Sequence, residues 1–374
     1  MRKALLVSTV SRQFTLFDRD NIRILKELGY EVHCAANFED ATPALDDLGI
    51  IKHHFDIQRS PYSLKNIKAF FQLLKIMKKE RFDLVHCHAP MGGLLGRLCA
   101  QLTRTRPVLY TAHGFHFYKG APLINNIIYK TIERIVAYWT DILITMNDED
   151  YEAAKKFKLR FGGKVCFIPG VGVDIEAIHN VIVNRNNKRY EIGIPEDAFL
   201  ILSIGELIPR KNHIQAIKSV AKVLLEKKDI NLYYVICGRG KLLNELKQLC
   251  VNLGIQDNVK FLGYRNDIYE ILKISDLFLF TSLQEGLPKA LMEAMAAGLP
   301  VVATRIRGNV DLIKSEENGI LVECGDVDST ALAIKKLYDN NELRNFYSNN
   351  NLEKIRMYDI QVVSKVMRNI YSSI

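Results

Sequence analysis

Residues Leu277 to Gly298, LFLFTSLQEGLPKALMEAMAAG, constrain the fold more than any other stretch of this chain. The run Leu277 to Phe280 is apolar at every position and too short for a helix, which reads as a buried strand. A polar turn, Thr281 to Gly286, follows. Pro288 stands at the first position of a helix, where its missing N–H costs nothing. Leu291, Met292 and Met295 recur at helical spacing, and Gly298 closes the helix.

The same strand–turn–helix unit recurs throughout. Strands are expected at Ala4 to Val10, Glu31 to Ala35, Asp83 to His88, Val108 to Thr111, Asp141 to Thr145 and Lys164 to Ile168. Past a break they resume at Phe199 to Ser203, Leu232 to Cys237, Val259 to Gly263 and Pro300 to Ala303. Helices lie between them, including Asp20 to Leu28 and one starting at Asp148 with Asn147 as cap. Such alternation predicts an α/β fold with parallel sheets covered on both faces. A length of 374 residues is too much for one core and suits two domains. Pro169 to Asp174 breaks the pattern, and the polar run Asn184 to Arg189 reads as linker. The expected domains are 1–176 and 177–357, with a helical tail from 358 to 374.

Charge is unevenly distributed. Residues 1–190 hold 28 Lys and Arg against 19 Asp and Glu, whereas residues 191–374 hold 23 of each, so the net +9 belongs to the first half. An anionic membrane or substrate would meet such a surface; no nucleic-acid motif accompanies it. In the helix expected at Leu64 to Phe82, Leu64, Ile67, Phe71 and Leu74 form a stripe flanked by lysines. It packs on its own sheet, and the basic face can also meet anionic lipid. No apolar run is long enough to span a bilayer, and MRKALLVSTV reads as a first strand rather than a signal peptide, which places the chain in the cytoplasm. Seven scattered Cys without a C-x-x-C pair read as reduced, mostly buried thiols.

Open α/β sheets bind ligands beyond the carboxyl ends of their strands. There Glu285 lies in a turn and Glu293 in the helix after it, eight residues on. The helix start at Gly286 and Leu287 offers free N–H groups to a diphosphate, leaving the two carboxylates for sugar hydroxyls. Arg210 and Lys211 lie in a strand-to-helix loop, where such cations clamp a diphosphate. His113 ends a strand beside Gly114. His86, His88, His113 and His116 lack zinc-like spacing, so no metal is expected. Gly92 and Gly93 precede a helix and can receive an anion.

E-G-L-P-x-A-L-x-E-A-M-A-x-G-x-P-V-V-A, from Glu285 to Ala303, resembles the E-x7-E signature of family 4 glycosyltransferases, retaining enzymes of the GT-B fold. The resemblance implies two Rossmann-like domains facing one cleft, with the tail helix returning to the first domain. It implies that Glu285 binds hydroxyls of a donor sugar and Glu293 the ribose, with no cofactor beyond a UDP-sugar as substrate. It also implies phosphate contacts from Lys211 and, since Glu206 replaces the family's frequent Arg, from Arg210. Gly238, of Gly238-Arg239-Gly240, would lie by the nucleotide, with Leu262 and Gly263 reading the base through main-chain groups. Arg305 to Asn309 would line the donor side. His113 matches the family's active-site His, and proton transfer to the leaving phosphate is preferred to a covalent intermediate. The family's Gly-Gly after the first strand is missing, so Ser11 to Phe17 is expected to face the acceptor.

The segment His113 to Gly120, HGFHFYKG, and the basic first half resemble bacterial enzymes extending polyprenyl-diphosphate-linked sugars for capsule, exopolysaccharide or O-antigen. His88, Gly92, Gly93 and His116 are the expected acceptor contacts, at the inner face of the plasma membrane. Two alternatives stay open: a non-hydrolysing UDP-N-acetylglucosamine 2-epimerase on the same fold, and a non-catalytic subunit that binds a nucleotide sugar.

Overall fold

A computed structural model of the chain describes residues 1–39, 41–227 and 230–374. They divide into two units, Met1–Val171 with Gln361–Ile374, and Gly172–Ile360. The sequence placed the break at 176/177 and the return at 358. The crossing strands of chain are hydrogen bonded to each other, Val173 N–H to Tyr358 O at 3.0 Å and Ile360 N–H to Val173 O at 2.9 Å. Gly172 is needed there. Its φ is +82°, and a Cβ would stand 2.8 Å from Ile360 Cα.

Among the described residues of the first unit, seven strands form one sheet: β1 (Arg2–Val10), β2 (Tyr30–Asn37), β3 (Ile51–His54), β4 (Leu84–His88), β5 (Val108–Ala112), β6 (Ile142–Thr145) and β7 (Lys164–Phe167). Their order is β3-β2-β1-β4-β5-β6-β7, and every pairing is parallel. The second unit has six: β8 (Phe199–Ile204), β9 (Leu232–Cys237), β10 (Val259–Gly263), β11 (Leu277–Phe280), β12 (Val301–Thr304) and β13 (Ile320–Val322), ordered β10-β9-β8-β11-β12-β13, also parallel. The strand order reverses between β1 and β4 in one sheet and between β8 and β11 in the other. Connections leave those neighbours in opposite directions, and a crevice opens at their carboxyl ends.

The apolar strand runs form the cores. Leu5, Val7, Val85, Cys87 and Tyr110 are buried in the first, and Ile201, Tyr234, Ile236, Leu277 and Leu279 in the second. The helix Ile360–Ser372 buries Val363, Met367, Ile370 and Tyr371, and the Tyr371 hydroxyl lies 2.6 Å from His86 Nδ1. Five cysteines are buried, Cys166 is half-buried and Cys324 is exposed.

Two expectations need correction and a third gains detail. Ser11 to Phe17, expected to face the acceptor, contains the helix Arg12–Leu16, with Ser11, Gln13 and Phe14 buried. Its polar groups fold inward because Gln13 finds partners there. The run Asn184 to Arg189 is not a solvated linker. Arg185–Glu191 is a helix capped by Asn184, and Arg189 is buried, donating to the carbonyls of Ile274, Glu196 and Ala198 and to Asp276. The guanidinium fork satisfies carbonyls that end other segments. Lastly, the helix Lys65–Glu80 packs inward through Asn66, Ala69, Leu73 and Met77 and leaves Leu64, Ile67 and Phe71 exposed. Two apolar stripes competed, and the one containing the small Ala69 lies on the protein.

Candidate active site

In the second unit, Lys211 and Glu285 meet across the strand-order reversal, one after β8 and the other after β11. Pro209–Lys211 is a single 3-10 turn ended by Asn212 in the left-handed region. This turn brings Lys211 Nζ within 2.6 Å of Glu285 Oε1 and 5.0 Å of the Phe280 ring centre. Arg210 NH1 donates to Gln284 O at 2.9 Å and approaches Glu285 Oε2 at 3.4 Å. The Arg307 Nε–H donates to the backbone carbonyl of Glu285 at 3.2 Å. Glu285 is thus a nearly dry carboxylate ringed by cations: its side chain is 9% exposed, that of Lys211 14% and that of Arg210 42%.

The helix after this turn, Lys289–Ala296, is preceded by Pro288 in extended conformation, so proline caps the helix rather than starting it. Glu293 lies within it beside Lys289, 3.7 Å away. Burial holds its carboxyl above the usual range, with Lys289 opposing that shift. Glu293 in turn raises Tyr269, whose own burial is the larger cause. Glu285 and Glu293 therefore stand at opposite ends of one segment, in different surroundings.

Glycine lets the neighbouring loops approach. A Cβ on Gly238 would lie 1.8 Å from Gly205 O, and one on Gly308 2.2 Å from Gly286 O. The Gly238 N–H donates to Gly263 O at 2.7 Å, so that carbonyl is already engaged, while Leu262 and Gly263 are half-buried. Leu287 is buried. Hence Gly205, Gly238 and Gly263 tie the ends of β8, β9 and β10 into one backbone platform.

In the first unit, His113 is half-buried at the end of β5. Its Nε2 lies 3.2 Å from His88 Nδ1 and 3.2 Å from Gln13 Nε2. Burial, then the neighbouring His88, pushes His113 down to about 4, against an opposing pull from Asp18. His88 is itself buried and pushed to about 3 by desolvation. Its ring centre lies 4.1 Å from that of His86, tilted by 40°, and His86 engages Tyr371 and Thr111. His116 is exposed and rests 5.2 Å from the Tyr129 ring. Gly92 and Gly93 are buried in the first turn of Pro90–Thr103. Side chains there would strike Ser8 Cα at 3.0 Å and Tyr110 at 2.4 Å, and the Gly93 N–H is taken by Ala89 O at 2.7 Å.

Three residues escaped sequence reasoning. Asp18 is fully buried and accepts from Gln13 and Asn21. Arg97, also buried, lies 3.7 Å over the Tyr110 ring and donates to Glu133 at 2.8 Å and Gly93 O at 2.8 Å, fixing the helix that carries Gly92 and Gly93. Arg307 was read only as part of a lining loop. Sequence offered one hint for Arg97, since a charged residue inside an apolar run such as LLGRLCA is rarely buried without a partner, and none for Asp18, which precedes Arg19 and Asp20.

Residues 184–354 match the family described as Glycosyl transferases group 1, and residues 3–147 match Glycosyl transferase 4-like. The putative glycosyltransferase EpsD of Bacillus subtilis is 36% identical over 376 residues, covering 100% of this chain and 97% of that protein. An Escherichia coli enzyme named UDP-Gal:alpha-D-GlcNAc-diphosphoundecaprenol alpha-1,3-galactosyltransferase is 36% identical over 294 residues, covering 78% of this chain and 75% of its own length. Among solved structures, Anabaena HepE in complex with UDP and glucose superimposes with a TM-score of 0.80 at 19% identity, each chain covered in full. Two parallel α/β units, the carboxylate pair of one helix and its preceding turn, and these relatives together make the chain a glycosyltransferase of the group 1, family 4 type with the GT-B fold.

Proposed function

We propose that this enzyme moves a sugar, a hexose or an N-acetylhexosamine, from a UDP-sugar to a polyprenyl-diphosphate-linked saccharide, with retained configuration and without a metal, in bacterial surface polysaccharide synthesis. The observation that carries the donor reading is the cluster of Arg210, Lys211 and Glu285 at the strand-order reversal of the second sheet. A diphosphate arriving there takes over the cations, and Glu285 turns from Lys211 to the hydroxyls of the sugar. Glu293 accepts from the ribose hydroxyls, Gly286 and Leu287 present main-chain N–H groups, and the Gly238, Leu262 and Gly263 platform meets the base. The E. coli relative, whose name specifies UDP-Gal and a diphosphoundecaprenol acceptor, supports both substrate classes.

In the transfer the bond between the anomeric carbon and the β-phosphate oxygen breaks. The acceptor oxygen attacks the same face, and its proton passes to the departing phosphate. Arg210 and Lys211 meet the charge that develops on that phosphate, commonly the largest catalytic contribution. His113 contacts the donor sugar. On the acceptor side, His116 is the exposed group, while Gly92, Gly93 and His88 set the local geometry. A panel of UDP-sugars with a lipid-diphosphate monosaccharide, read by mass spectrometry and with the new anomeric centre assigned by NMR, tests this. Donor conversion without acceptor would favour the epimerase; UDP binding with no donor ever consumed would favour a binding subunit.

The proposed site of action is an anionic bilayer surface. Tyr62, Leu64, Ile67 and Phe71 are exposed at the start of the Lys65–Glu80 helix, and Leu123, Ile124 and Ile127 at the start of the Leu123–Ala137 helix. Burial first, then the nearby Tyr62, raises the Tyr129 pKa, which sets Tyr62 near the second turn of the Leu123–Ala137 helix. Lys68 is paired with Asp56 at 2.7 Å, whereas Lys65 and Lys130 neighbour these residues in sequence. Each such cation contributes about 1 kcal/mol near an anionic leaflet. Sedimentation with phosphatidylglycerol vesicles, lost on Ile67→Glu with Ile124→Glu, is the expected result; equal sedimentation with phosphatidylcholine alone would refute the charge argument. No helix of the described residues is long and apolar enough to cross a membrane.

A further inference from the structure

The polar groups behind His113 determine which of its nitrogens carries the proton. Gln13 Nε2 donates to Asp18 Oδ2 at 3.0 Å and lies 3.2 Å from His113 Nε2. Asp18 orients the amide, because the reverse orientation would set two oxygens face to face. An amide nitrogen only donates, so His113 Nε2 is an acceptor and bears no hydrogen. His88 Nδ1 lies 3.2 Å from that same Nε2, so the hydrogen between the two rings sits on His88. Two donors share one lone pair, which accounts for both distances being long.

On its far side His88 Nε2 faces Asp18 Oδ1 at 3.5 Å, and Asp18 Oδ1 also accepts from Asn21 Nδ2 at 2.8 Å. Both His88 and Asp18 are buried. At that distance His88 Nε2 makes no hydrogen bond, and a proton on either His88 Nε2 or Asp18 leaves the pair neutral overall, as a dry site requires. His113 Nδ1 makes no hydrogen bond among the described residues.

We propose that Gln13, Asp18 and His88 are positioning residues that hold His113 as its Nδ1–H tautomer, so that the ring presents a hydrogen-bond donor to the substrate. The inference rests on the reading of His113 as a group that contacts the donor sugar. Its neutral state, favoured by burial, makes the choice of tautomer decisive: one ring nitrogen donates and the other accepts. A sugar oxygen or the phosphate oxygen that departs is an acceptor, and only the Nδ1–H form can serve it from that side. This network also gives Asp18 a purpose that a buried carboxylate would otherwise lack; burial raises its pKa, while His113, Asn21 and Gln13 oppose the rise.

The test uses the full chain with ¹⁵N-labelled histidine. Long-range ¹H–¹⁵N correlation at neutral pH should place the His113 proton on Nδ1, with the signal assigned by its loss in His113→Ala. Gln13→Glu sets an oxygen where the amide N–H stood. It should move the proton to Nε2 and lower kcat by about 10²-fold, the cost of one misplaced donor, with UDP affinity unchanged. Gln13→Met, which neither donates nor accepts, should give a smaller loss. An Nε2–H signal in the parent protein would overturn the proposal, as would a Gln13→Glu variant whose tautomer moves while kcat stays at the parent value. The spectrum is read without turnover, so it stands even if the transfer reaction proves to be another one.

Discussion

Replacing Lys211 by Met tests the donor site most directly. The lost contact is a 2.6 Å charge-assisted hydrogen bond between side chains 14% and 9% exposed. Leaving a buried charge with no partner costs about 3–5 kcal/mol. Arg210 still approaches the other oxygen of Glu285 at 3.4 Å, so a stability loss of roughly 1–2 kcal/mol is expected, or about 2–8 °C in Tm. The ligand effect should be larger. A hydrogen bond to a charged group contributes about 1.5–3 kcal/mol, so UDP should bind roughly 10- to 150-fold more weakly to Lys211→Met. Uridine, lacking the diphosphate, should bind both proteins alike. Glu285→Gln gives the contrasting result. The carboxamide keeps the shape but frees Lys211 from its carboxylate, so UDP should bind at least as tightly as to the parent, while sugar transfer falls about 10²-fold. Calorimetric titration with UDP and uridine, at two salt concentrations, separates these outcomes. Equal weakening of UDP by both substitutions would refute the argument, because it would mean that the pair merely holds the loops.

Glu293→Gln should raise Tm at pH 7. Burial raises the folded pKa of Glu293, so between the ordinary carboxylate value and the raised one the folded form binds more protons than the unfolded chain, and stability falls as pH climbs through that window. The same variant should lose any preference for UDP over its 2′-deoxy analogue, measured by competition. In acid, His88, His113 and His213 are held down to about 3, 4 and 4 by burial, with His88 and Lys211 adding to it for His113 and His213 respectively. Their contribution is fully present above pH 6.5 and is lost as pH falls to about 4 for His113 and His213 and to about 3 for His88, with a slope approaching 1.4 kcal/mol per pH unit for each group, to be read from urea midpoints. Gly238→Ala should abolish UDP binding or folding, since its methyl would stand 1.8 Å from Gly205 O, whereas alanine at Gly193, with open space around it but a φ of +71°, should cost only about 1 kcal/mol.

Much of the fold was legible because its signal is local. Each apolar strand run and the glycine or cap that bounds it lie within one short window, and Glu285 and Glu293 fall inside one such window. What escaped depends on contacts between distant positions. Gln13 meets His113 across 100 residues and His86 meets Tyr371 across 285, and no spacing rule reaches so far. Lys188 and Arg189 look like linker cations because their partners, Asp267, Glu270 and Asp276, lie some 80 residues on. Periodicity also left the Lys65–Glu80 helix ambiguous. It carries two apolar stripes, and only packing decides that Ala69 and Leu73 go inward while Ile67 and Phe71 stay out.

The polar groups that matter in each unit follow strands at the reversal of strand order or, for His113 after β5, one strand beyond it, and topology supplies the reason. Between β1 and β4, and again between β8 and β11, the chain leaves in opposite directions, so no crossover helix covers the gap. Main-chain and side-chain polar groups at such a gap must satisfy one another until a ligand arrives. The second unit does so with opposite charges, Lys211 and Arg210 against Glu285, an arrangement that a diphosphate can replace cation for cation. The first does so with neutral rings and amides, His113, His88 and Gln13, around one buried carboxyl group, Asp18. A charged His113 would have only the weak pull of Asp18, which is outweighed by burial and the neighbouring His88, since the Asp18 oxygens accept from Gln13 and Asn21. Neutrality here and charge there are therefore set by the partners each reversal point offers. Exchanging the two strategies should fail: Gln13→Lys, placing a cation beside Asp18, is expected to lower the Asp18 pKa, favour its ionised form, and shift the His113 ¹⁵N signals. Unchanged signals in that variant would show that the three side chains are not coupled.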